Sequence, residues 1–117
     1  MLAIIGCGNT NREDDAVGVY VAQQLLEIQS DNSWNGVTIY DAGTAGMDIM
    51  FKARGWDHAL FAGKKIYKDD FPTDVLVYLI EAKNLSMGIG LSTEVQKSGD
   101  RVVEKITKRI ETFTAKT

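Results

Sequence analysis

The sequence predicts an α/β domain: a mostly parallel sheet of about four to five strands with helices on both faces, a three-layer sandwich. Three features carry that expectation. The chain opens on a short continuous apolar run, Leu2-Ala3-Ile4-Ile5, closed by Gly6 and Gly8. Strand-like and helix-like stretches then alternate with short connections, the pattern of right-handed crossovers. The chain closes on a long stripe with helical period.

Each element has its own local reason. A short apolar run with no polar alternation reads as a strand buried on both faces. Asp15 to Gln29 places Val17, Val21, Leu25 and Ile28 on one helical stripe, widened by Tyr20 and Leu26. Asn35-Gly36 is a turn signal, and the β-branched stretch Val37-Thr38-Ile39-Tyr40 after it predicts the second strand. A loop of small residues, Ala42 to Gly46, leads to a short helix over Met47–Arg54 that Gly55 stops. His58–Ala62 and Val75–Ile80 read as the third and fourth strands, with the polar stretch Gly63–Thr73 between them. In the tail, Val95, Val102, Val103, Ile106, Ile110 and Phe113 keep a helical stripe, and Glu104 is spaced to pair with Lys108. No repeat or linker divides residues 1–117, which read as one domain.

Composition narrows the function. A hydrophobic fraction of 44% with 25% charged residues fits a globular fold. The formal charge of -3 offers no general attraction to nucleic acid or to an anionic membrane. The longest apolar stretch, Val75–Ile80, is far short of the ~20 residues that span a bilayer. A start without a basic leader, and a single cysteine, Cys7, make the cytoplasm the expected compartment.

In a parallel sheet, ligands gather beyond the carboxyl ends of the strands, so residues 6–15 and 41–46 and the loop after Gly63 are where chemistry is sought. Gly6-Cys7-Gly8-Asn9 invites a dinucleotide reading, but Asn11 stands where a third glycine belongs. Glu13, Asp14 and Asp15 also occupy the helix start, where a phosphate would otherwise sit. One of these carboxylates either caps the helix or turns over the strand ends to ligate a cation. Cys7 has no base beside it, and acidic neighbours would raise its pKa, so it reads as a small packed residue. Trp34 and Trp56 read as a loop residue and a residue at the edge of the core.

Several blocks together resemble the hydrogenase maturation endopeptidases, which trim the C-terminal tail of the large subunit of nickel-iron hydrogenases. They are Ile4-Ile5-Gly6-Cys7-Gly8-Asn9, Asp14-Asp15-Ala16-Val17-Gly18-Val19, and Ile39 to Asp48, the most specific stretch. Trp56-Asp57-His58 and Ile89-Gly90-Leu91-Ser92, with Val95 and the last helix, continue the resemblance.

The resemblance implies a site that senses nickel already carried by the precursor, through two carboxylates and a histidine. Asp15 matches the first carboxylate. Gly63 stands where the second belongs, and the segment that carries the histidine is missing from a chain shorter than the usual member. His58 does not replace it, since the extended chain from His58 to Gly63 spans about 16 Å and a metal–nitrogen bond is only ~2 Å long. Asp69 and Asp70 leave the correct end of the sheet, although a solvated polar turn explains them as well. Asp41, Gly43, Thr44, Ala45 and Gly46 are the residues expected to hold the precursor's tail, small side chains permitting close backbone approach.

Two functions follow. In the first, the chain is a working endopeptidase whose partner is the precursor of a hydrogenase large subunit or a related metalloprotein. Nickel is then supplied through that substrate. In the second, a non-catalytic relative keeps the scaffold and serves as a binding or chaperone-like module for a metalloenzyme subunit or for itself. An uncovered sheet edge in a shortened chain adds the expectation of a homodimer.

Overall fold

The computed structural model describes residues 2–44, 76 and 78–115. Strand β1 (Leu2–Cys7) runs into a loop and a short 3-10 turn over Glu13–Ala16. Helix α1 (Val17–Ser30) follows, then strand β2 (Val37–Gly43). Residues 78–92 form no helix or strand beyond an isolated bridge between Gly88 and Arg12, and α2 spans Thr93–Ala115. The strands run two to three residues past the predicted stretches, because the paired backbone continues into the glycine-containing loops.

β1 and β2 pair in parallel, Leu2 opposite Val37 through Gly6 opposite Asp41. The register then shifts, so that Cys7 pairs with Gly43 and Ala42 is left over. Such a bulge bends a strand and re-aims its side chains, and here it falls at the carboxyl end of the sheet.

Val21, Ala22 and Leu25 of α1 meet Val103 and Ile110 of α2 over Val37 and Ile39 of β2, with Leu2 and Ile4 beside them. The even residues of β1 and the odd residues of β2 therefore look at both helices, as the alternation of a strand requires. The tail stripe is as expected: Val95, Val103 and Ile110 are buried, and Val102, Ile106 and Phe113 flank them. Gly99 lets the helices approach closely, since a Cβ there would sit 3.2 Å from both Tyr20 and Val17.

The structure corrects three sequence readings. β1 is covered on one face only among the described residues, Ile5 being 61% exposed, because α1 and α2 lie on the same side of the sheet. The helix expected over 47–54 and the strand over 58–62 lie outside the described residues. Leu76 and residues 78–80 form no strand, and Leu79 is 77% exposed. An apolar run becomes a strand only where a neighbour completes its ladder, and no described residue does so. Glu104 and Lys108 form no ion pair; Lys83 and Glu94, at 3.1 Å, do. Both members of that pair are well exposed, so it adds little stability.

Candidate functional site

The glycines where β1 meets α1 are demanded by packing. A Cβ on Gly6 would fall 2.3 Å from the carbonyl oxygen of Gly18, and one on Gly18 would fall 2.1 Å from that of Cys7. One on Gly8 would fall 2.0 Å from the carbonyl oxygen of Asp15. The Gly-x-Gly pattern that suggests a phosphate loop therefore serves the close approach of α1 to β1.

Gly8 also joins the two halves of the site. Its N–H donates to the carbonyl of Gly43 at 2.8 Å while its Cα faces the Asp15 carbonyl. The loop that carries Asp15 and the end of β2 are thus brought together around one residue. Gly43 has φ of 54°, and no atom of the described residues lies within 4 Å of where its Cβ would be. Asp41 is exposed and accepts a hydrogen bond from Gln23 Nε2 at 3.2 Å. Thr44 is exposed in the turn that follows. Ala45 and Gly46 lie outside the described residues, as do His58, Gly63, Asp69 and Asp70.

Asp14 and Asp15 part ways. Neither caps a helix, for no side-chain hydrogen bond closes the start of the 3-10 turn or of α1. Asp14 is fully buried. Its Oδ2 accepts from the N–H groups of Lys83 and Asn84 at 2.9 and 2.7 Å and from the Ser92 hydroxyl at 2.9 Å; its Oδ1 accepts from the Ser92 N–H at 2.7 Å. Burial alone would raise the Asp14 carboxyl, but the hydrogen bonds from Ser92, Asn84 and Lys83 outweigh it and hold it below the ordinary carboxylate value. Asp15 is half-buried, and its carboxylate has no hydrogen-bond or ion-pair partner among the described residues.

Sequence reasoning missed Asp14, Asn84 and Ser92 as one unit. Two adjacent carboxylates carry no local sign of which one turns inward, and the donors lie 69 to 78 residues away along the chain. Cys7 is half-buried with its thiol pKa raised, in the expected direction, but by burial rather than by acidic neighbours. It stays a poor nucleophile.

No protein-family model matches the chain, and no curated protein does either. Among solved structures, the chain is similar to hydrogenase 2 maturation peptidase from a Thaumarchaeota archaeon. The match has a TM-score of 0.65 over 93% of this chain and 97% of that one, at 20% sequence identity. The chain has the fold of a hydrogenase maturation peptidase. That similarity agrees with the resemblance carried by the sequence blocks. The two coverages also mean that the chains are of comparable length, so shortness does not set this chain apart from that peptidase.

A resident metal is a separate matter within this maturation-peptidase fold. Among the described residues no three His, Cys, Asp or Glu side chains converge on one point. Nickel and zinc sites combine several ligands, so Asp15 alone does not fit one. No described helix is long and apolar enough to cross a membrane.

Proposed function

We propose that this chain removes the C-terminal tail from the large-subunit precursor of a nickel-iron hydrogenase, or of a related metalloprotein, in the cytoplasm. The observation that carries the reading is the match, over nearly the whole of both chains, to hydrogenase 2 maturation peptidase. The geometry supports it: the Asp15 carboxylate, with no partner among the described residues, stands at the carboxyl end of a parallel sheet, across Gly8 from the backbone of Gly43.

In this function nickel belongs to the precursor and arrives with it. Hydrolysis adds water to the scissile carbonyl, breaks the C–N bond and delivers a proton to the departing amine. The Asp15 carboxylate would hold the incoming cation or take a proton from the water. Gly43 and Thr44, with Ala45 and Gly46 after them, would lie along the extended tail. Asp41, steadied by Gln23, would accept a hydrogen bond from it.

Incubation with a nickel-loaded precursor, followed by mass spectrometry, tests this. Tail loss by the wild-type chain is expected, with the rate falling at least about 100-fold in Asp15→Asn. Absence of cleavage under conditions where another maturation peptidase cuts would refute it. We also propose a homodimer joined along a sheet edge, since an uncovered edge is a route to self-pairing. Light scattering that shows a monomer at every concentration would rule that out.

A further inference from the structure

We infer that Asp14 is a positioning residue for Asp15, acting by clamping the turn that presents Asp15 onto residues 83–92. The inference rests on the proposed function for its catalytic consequence, but its structural content stands alone. Two adjacent aspartates have opposite fates: one carboxylate is fully buried under four donated hydrogen bonds, and the other meets no donor among the described residues. A buried carboxylate is tolerated only when such donors meet it, so the inward turn of Asp14 and the arrival of residues 83–92 require each other.

The backbone repeats the clamp. Asp14 N–H donates to Asn84 O at 3.0 Å, Glu13 N–H to Gly88 O at 3.1 Å, and Gly88 N–H to Asn11 O at 2.9 Å. Asp15 N–H closes the turn onto Arg12 O at 3.0 Å. Between them Glu13 has φ of 41°, a conformation that a residue with a side chain keeps only where its surroundings over-determine it. The outer segment is that surrounding structure. On the opposite side, Gly8 lies against the Asp15 carbonyl and sets how deep the turn sits. Asp15 is therefore aimed by a tertiary clamp, with no contribution from a helix cap.

The test uses Asp14→Asn, which reverses one oxygen into a donor, and the milder Ser92→Ala, which deletes only the hydroxyl donor. Both are studied at a temperature where circular dichroism shows each variant folded. Amide hydrogen exchange should accelerate about tenfold or more at Glu13, Asp14, Asp15, Lys83, Asn84 and Gly88, with the β1–β2 amides unchanged. Cleavage of nickel-loaded precursor should lose kcat by roughly tenfold to a hundredfold with little change in KM, as expected when a reacting group is displaced but substrate binding persists. Should Asp14→Asn not fold, Ser92→Ala must give the smaller change in the same direction. Unchanged exchange at those amides in a folded variant overturns the clamp. Faster exchange with unchanged kcat overturns the positioning of Asp15. A wild-type chain that cuts nothing refutes the proposed function alone, and the exchange of the Asp15 amide then still decides the clamp.

Discussion

Ser92 gives both of its donors to one residue, Asp14: its N–H to Oδ1 at 2.7 Å and its hydroxyl to Oδ2 at 2.9 Å. The residue before α2 is thereby tied to the turn before α1. α1 and α2 are registered over the sheet by a buried carboxylate as well as by their apolar stripes.

Removing that carboxylate should destabilise the fold. Asp14→Asn leaves buried N–H donors facing an amide N–H, and each unsatisfied buried group costs about 1–3 kcal/mol. Urea unfolding should show a midpoint lowered by an amount of that order with an unchanged slope. A midpoint equal to wild type would mean that the hydrogen bonds of Asp14 contribute nothing net.

The same group sets an acid limit. Its folded-state pKa lies below the ordinary carboxylate value of 3.8, so its contribution to stability is complete above that value. The contribution is lost as pH falls through the depressed folded value. Acid titration followed by circular dichroism should show wild type losing stability in this low-pH window, and Asp14→Asn losing less between neutral pH and pH 3. Parallel curves for the two proteins would contradict the assignment.

Gly18 and Gly43 should respond differently to alanine. At Gly18 a Cβ meets the Cys7 carbonyl at 2.1 Å, so α1 must move off β1, and a loss of about 2 kcal/mol or more is expected. At Gly43 no described residue meets the added Cβ, so the penalty expected is that of the left-handed backbone at φ of 54°, about 1 kcal/mol. Thermal melts of the two variants side by side check the order; the reverse order would show that the helix–strand approach is soft.

Tyr20 on α1 donates its hydroxyl to Asp100 on α2. That hydrogen bond to the Asp100 carboxylate, with burial adding to it, holds the tyrosine pKa above its ordinary value. This contribution is complete below the ordinary value and is lost as pH rises through the raised one. Tyr20→Phe should cost about 1 kcal/mol near neutral pH and weaken the alkaline loss of stability, measurable by urea unfolding at pH 7 and above pH 10. A phenylalanine variant as stable as wild type at neutral pH would assign the α1–α2 contact to apolar packing alone.

What the sequence determined by itself is the local grammar. Period and composition were enough for β1, α1, β2 and α2, because each of them buries one stripe or face and the residues that do so recur at the helix or strand interval. The blocks around Gly8 and Gly43 were legible as one end of the sheet, since Gly8 follows β1 and Gly43 ends β2. The tertiary structure decided what spacing does not encode. Whether Asp14 or Asp15 turns inward depends on donors at Lys83, Asn84 and Ser92, far along the chain. Whether the apolar run ending at Ile80 becomes a strand depends on a ladder partner. Whether β1 is covered on one face or two depends on which side α1 and α2 take. A periodic pattern states that a face must be covered; only the assembled chain states by what, because burial and hydrogen bonding are satisfied between segments rather than within them.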